Sequence, residues 1–342
     1  MVKYGTPVWL LLLLAALSPA HGAAARIERP VSFVGAGGVM LAGTLTLPPR
    51  PAPVPALVLV GGSGPTDRDG NQPPILRTDL LKQIAADLAK QGIASLRYDK
   101  RGQYASGKPP ATAKALYDFV AWQNYVGDAA AAFRWLQAQP GIQPARVGLL
   151  GHSEGGLLAL DAADTLRKSS PAVLVLVSTP GRPINEVLHE QLERLLLAQR
   201  VPPAPSRYFL DKNDAILAEI QKTGRVPTDV PPGLAALYQP YLGKFLQGEL
   251  GVKPTELVAR FPGSVLVLQG GADAQVSPDE DAALLGAVRR KKGGAPALVV
   301  VPGASHNLKR VKSDLDLGFS GAIAPGALAA LNGWLATHLV KP

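Results

Sequence analysis

The chain has 342 residues, 47% hydrophobic and 18% charged, which excludes a disordered protein and suits one large folded domain with an insertion, or two small domains. It contains no cysteine, which excludes disulfides, a thiol nucleophile, thiolate metal ligands and lipid attachment through a lipobox cysteine. The net charge of +9 is spread along the chain, and nothing resembles a nucleic-acid-binding module. Local basic clusters at Arg289, Arg290, Lys291 and Lys292 and at Lys309, Arg310 and Lys312 read as solvated ends rather than as a surface for acidic headgroups.

In chain order, Lys3, the apolar run 8–17 and the small residues 18–23 predict a signal peptide over residues 1–22, cut after Gly22. Ten or so apolar residues are too few to span a bilayer, so no stable membrane insertion is expected once the leader is removed. Export to the periplasm or exterior of a bacterium follows. Residues 31–34 and 39–47 predict two strands around a glycine-rich turn, and a proline-rich connection leads to a strand at 56–60. Helices are expected near 76–91, 113–139, 278–291 and 326–339, and strands at 93–98, 147–150, 172–177, 265–268 and 297–301. Continuous apolar strands alternating with helices imply an α/β fold: a mostly parallel eight-stranded sheet with helices on both faces. Its site should lie at the carboxyl ends of the strands.

Residues 183–260 break the alternation between a first core part (30–182) and a second (261–342). The segment 184–196 has helical amphipathic period, and Tyr208, Phe209, Tyr238, Tyr241 and Phe245 follow in helical pieces separated by prolines. This predicts a helical cap over the strand ends, with most of those aromatics packing the cap itself.

The most informative segment is Gly151-His152-Ser153-Glu154-Gly155, between the strand at 147–150 and a helical run. A strand turning this sharply into a helix holds the serine hydroxyl at the tip of the turn, beside a helix N-terminus, as a nucleophile. A serine at neutral pH needs a base, and the base an orienting acid. Of the five histidines, His21 lies in the leader, His152 inside the elbow, His189 on the cap and His338 near the end of the last helix. His306 alone follows a strand end, so it is the expected base. Asp273, after the preceding strand, is the expected acid, in preference to Asp279, Glu280 and Asp281, which begin a helix where carboxylates are favoured anyway. An oxyanion hole, worth about 3–4 kcal/mol per donor, is expected from the backbone N–H groups of Glu154 and Ser63, with Gly62 or Gly64 as alternatives to Ser63.

With the loop Gly62-Ser63-Gly64-Pro65-Thr66-Asp67-Arg68-Asp69-Gly70 and the run Arg97-Tyr98-Asp99-Lys100-Arg101-Gly102 added, nearly all of residues 30–340 resembles an α/β-hydrolase. Within that fold it is similar to bacterial carboxylesterases of the EstD type, in the serine-aminopeptidase-like branch. The resemblance implies cofactor-free, metal-free hydrolysis of small-molecule carboxylic esters beneath a helical cap. The related pattern continues x-Gly-x-Ser after Arg101-Gly102, whereas this chain has Gln103-Tyr104-Ala105-Ser106. Asp67, Arg68, Asp69, Asp99 and Arg101 are expected to pair and shape the loops. An aminopeptidase or amidase using the same triad, with Glu154 attracting a substrate amine, stays open, as do a lysophospholipase and a non-catalytic binding protein on the same scaffold.

Overall fold

The computed structural model describes residues 26–288, 290, 294, 296–313 and 316–341. The expected leader and the basic residues Arg289, Lys291 and Lys292 lie outside the described residues.

The chain begins with a hairpin of β1 (Ile27–Val34) and β2 (Met40–Leu47), then β3 (Val54–Val60), α1 (Leu80–Lys90) and β4 (Ala94–Tyr98). Next come α2 (Ala113–Phe119), α3 (Trp122–Gln137), β5 (Ile142–His152), α4 (Glu154–Thr165) and β6 (Val173–Val177). Four helices, α5 (Ile184–Ala198), α6 (Pro203–Thr223), α7 (Gly243–Leu250) and α8 (Pro254–Arg260), separate β6 from β7 (Ser264–Gly270). The short α9 (Ala283–Gly286), β8 (Ala297–Val301) and α10 (Pro325–Leu335) complete the order.

The eight strands form one sheet in the order β1-β2-β4-β3-β5-β6-β7-β8. β1 and β2 are antiparallel to each other, β2 is antiparallel to β4, and every later pairing is parallel. Every residue of β3, β4 and β6 is buried, as a sheet covered on both faces requires. One face packs on α3, α4 and the helices after β6; the other packs on α1 and α10. Strand order reverses at β3, because β4 lies on one side of it and β5 on the other. That reversal opens a crevice at the strand ends, where the loops after β3 and β5 meet.

Two expected helices differ. The stretch at 113–139 is broken, with α2 ending at Phe119 and Ala121 extended before Trp122. The break presents carbonyls: Asn124 Nδ2 donates to the oxygens of Asp118 and Phe119, and buried Arg101 donates to those of Phe119 and Asn124. Among the described residues of the stretch at 278–291, there is a wide turn over Pro278–Ala282 and one turn of helix that stops at Gly286, a poor helix former. No helix among the described residues is long and apolar enough to cross a membrane.

The aromatic residues between β6 and β7 pack partly on the core helix α3 and partly among themselves. Phe245 meets Trp122 and Tyr125 edge-on, each at 5.2 Å between ring centroids, and buried Tyr238 donates its hydroxyl to Asn213 Oδ1.

Candidate active site

Ser153 stands between the end of β5 and the first turn of α4 with φ 56° and ψ −129°, a conformation that costs a non-glycine residue about 1–3 kcal/mol. The surroundings enforce it. Its N–H donates to the Val177 carbonyl at 2.8 Å, and its carbonyl accepts from Gly156 at 2.8 Å. A side chain at Gly151 would strike the Gly155 backbone, and one at Gly155 would strike the carbonyls of Val60 and Gly61.

Asp273 and His306 are brought together by the loops that follow β7 and β8. The Gly271 N–H donates to Val301 and the Ala272 N–H to Ala304, both at 2.8 Å, so the two loops are tied by backbone. Ser305 Oγ donates to the Gly318 carbonyl and accepts from the amides of Asn307 and Lys309, which holds the turn that presents His306. His306 Nδ1 lies 2.8 Å from Asp273 Oδ2, with both side chains buried. Only a protonated Nδ1 can donate to a carboxylate, so the pairing leaves Nε2 as the basic nitrogen. Burial alone would raise the Asp273 carboxyl. The adjacent His306 and the N–H groups of Val276 and Gln275 overcome that and hold it below the ordinary carboxylate value.

Ser153 and His306 line one cavity of about 630 Å³, whose walls include Leu76 and Leu81, Leu195 and Ala198 of α5, and Leu317 and Phe319. Ser153 and His306 form no hydrogen bond in this structure; such contacts are often long before substrate arrives.

Four of the other candidate acids and bases are engaged elsewhere. His189 pairs with Asp214, and His338 stacks on Trp334 at 4.5 Å. Asp281 is buried, accepting from the amides of Gly181, Arg182 and Ser277. Glu280 pairs with Arg182 at the surface.

The loop after β3 runs directly past the serine: a Cβ on Gly62 would come 3.2 Å from Ser153 Cβ. Ser63 lines the cavity, and its carbonyl is taken by Thr66 Oγ1 and Gln72 Nε2. The Glu154 amide opens α4, where the first N–H groups lack intrahelical partners. The Glu154 side chain is engaged within the protein. Its Oε1 accepts from Lys100 Nζ at 2.8 Å, both residues are buried, and buried Glu249 of α7 adjoins the pair. A carboxylate already neutralised by a lysine is not free to select a substrate amine.

Of the loop charges, all but Asp67 form ion pairs. Arg68 grips both oxygens of Asp99, Arg97 meets Asp69, and Arg101 holds Asp128 with both partners fully buried. Asp67 accepts the amides of Asp69 and Asn71. Tyr104, where the related pattern has glycine, takes the left-handed conformation itself (φ 48°) and donates its hydroxyl to the Pro65 carbonyl. Ser106 Oγ donates to the Asp99 carbonyl and accepts from Ala42.

Sequence reasoning missed His152. Its Nε2 lies 3.0 Å from the His306 carbonyl, so that nitrogen carries the proton, and the two rings are 4.8 Å apart. Burial, and then the neighbouring His306, push its pKa down to about 3. The only signal was its place beside the candidate nucleophile. Among the described residues no group of three or more His, Asp or Glu could hold a metal ion.

The sequence matches the alpha/beta hydrolase family over residues 57–308. It is 31% identical over 211 residues to the esterase EstD of Thermotoga maritima, covering 55% of this chain and 48% of that protein. The chain thus spans about half the length of this curated relative. In three dimensions it is similar to an esterase of Pyrococcus furiosus (TM-score 0.58, 14% identity, 92% of each chain covered). It is also similar to Est1E from Butyrivibrio proteoclasticus (TM-score 0.55, 15% identity, 91% of this chain and 99% of that one). The matched span covers most of the chain and contains the elbow, the Asp273 loop and His306: this protein belongs to the alpha/beta hydrolase family.

Proposed function

We propose that this protein is a serine carboxylesterase that works through an acyl-enzyme on Ser153. The observation that carries the reading is the 2.8 Å hydrogen bond that Asp273 accepts from His306, which lines the same cavity as Ser153 on its strained turn. Ser153 Oγ attacks the ester carbonyl, and His306 Nε2 takes its proton and returns it to the departing alcohol. Asp273 holds the imidazole in the right tautomer and stabilises its charged form. The amides of Glu154 and Ser63 receive the negative oxygen, and water then attacks the acyl-enzyme by the same route in reverse. Similarity to a protein named as an esterase supports ester over amide substrates, and the Lys100–Glu154 pair argues against amine selection. The apolar part of the wall, Leu76, Leu81, Leu195, Ala198, Leu317 and Phe319, suits an apolar acyl group. We further propose that the chain is exported, on the strength of Lys3 and the apolar run that follows it.

The test is hydrolysis of p-nitrophenyl esters from acetate to palmitate by the purified protein, with Ser153→Ala in parallel. The proposal expects activity on at least part of the series and its loss in the mutant. Activity that survives the substitution, or none at any chain length, overturns it. Fractionation of expressing cells, with the mass of the mature N-terminus, tests export.

A further inference from the structure

We propose that Gln269, the penultimate residue of β7, is a positioning residue that acts on the base through Asp273, an inference that rests on the esterase reading above. Its side chain is fully buried. One end of its carboxamide is surrounded by acceptors: Asp273 Oδ2 at 2.8 Å, the Val276 carbonyl at 3.1 Å and the Gly270 carbonyl at 3.4 Å. Only the NH2 group can occupy such a place, so the orientation of the amide is fixed by its neighbours. Asp273 Oδ2 is also the oxygen that meets His306 Nδ1. Gln269 therefore donates to the one carboxylate oxygen that orients the base, while the amides of Gln275 and Val276 hold the other.

The far end of the carboxamide argues that this contact is what the residue supplies. Gln269 Oε1 is buried without a hydrogen-bond partner among the described residues, which costs stability that leucine or methionine would not lose. In return, the donor spreads the charge of Asp273 Oδ2 and fixes the plane of the carboxylate. The titratable groups that face Asp273 are His306 and, beyond it, His152, which is held neutral.

The experiment compares kcat, KM and the pH dependence of kcat/KM for the wild type, Gln269→Leu, Gln269→Glu and Ser153→Ala on one p-nitrophenyl ester. Without the donor, Asp273 attracts the imidazole proton more strongly and its carboxylate is free to turn. Gln269→Leu is therefore expected to lose about tenfold in kcat with KM little changed, and its acid limb moves to higher pH. Gln269→Glu keeps the shape and can donate only while its carboxyl holds a proton, so its activity falls as pH rises, along a limb the wild type lacks. A Leu variant with wild-type kcat and an unmoved acid limb overturns the proposal. If that variant does not fold, a Glu variant with a profile of wild-type shape does the same. An inactive wild type, or an active Ser153→Ala, instead refutes the esterase reading on which the inference rests.

Discussion

His152 and His306 are joined twice: Nε2 of the first donates to the carbonyl of the second at 3.0 Å, and their rings lie 4.8 Å apart. The residue before the proposed nucleophile thus holds the backbone of the proposed base. Glutamine can present an N–H close to where Nε2 lies, whereas leucine fills similar volume without one. His152→Leu is expected to lower kcat about fivefold, as loss of one hydrogen bond of about 1 kcal/mol implies, while His152→Gln keeps most of it. Steady-state kinetics of the two variants decide the matter, and equal kcat values would refute the role.

Glu249 ties stability to pH. Burial, then the charge of Glu154, raises its carboxyl well above the ordinary value, with Lys100 offsetting part of the effect. The folded protein therefore keeps a proton that the unfolded chain releases, so the contribution of Glu249 to stability falls as pH climbs above the ordinary carboxylate range. A glutamine side chain in its place has no proton to give up. The Glu249→Gln variant should match the wild type at acid pH and gain on it as pH rises above the ordinary carboxylate range. Urea midpoints from acid pH upward measure the difference, and parallel curves would contradict the assignment.

Ala198 of α5 lines the cavity beside Leu195. Phenylalanine there should fill space that a long acyl chain needs, and each buried methylene is worth about 0.8 kcal/mol. Ala198→Phe is expected to raise KM for esters of long acids about tenfold, losing one to two methylenes of contact, and to leave acetate unchanged. The ester series reads this directly. An equal change at every chain length would mean that the acyl chain does not run toward α5.

What was legible in the sequence follows from period and apolar runs. The central strands could be placed because parallel strands buried on both faces are unbroken apolar runs, as in Val173–Val177. The candidate nucleophile stood out because strand, glycine, serine, glycine and helix are contiguous. Polar partnerships were not legible, because their partners are remote in the chain: Lys100 and Glu154 are 54 residues apart, and His152 and the His306 carbonyl are 154 apart. Gln269 lies one residue beyond the strand expected at 265–268, and a glutamine beside an apolar run carries no sign of what its amide will face. The missing glycine at position 104 had a structural answer that composition hides. Tyr104 bears the left-handed conformation and returns a hydrogen bond to the loop after β3. The break at 119–122 obeys no local breaker and arises from carbonyls turned toward Arg101 and Asn124.

The crowding around Gly151 and Gly155 also extends to Gly270, where an added methyl group would strike the carbonyls of Ala304 and Ser305 beside the base. Every amino-acid change reachable from a glycine codon by one base introduces a Cβ. These positions are therefore closed to single-step variation even though none of them carries a functional group. A saturation scan of this protein would find two superimposed maps, one of residues that perform chemistry and one of residues whose contribution is to occupy no space. In the second map, chemically mild substitutions such as Gly→Ala would be as damaging as removal of the nucleophile.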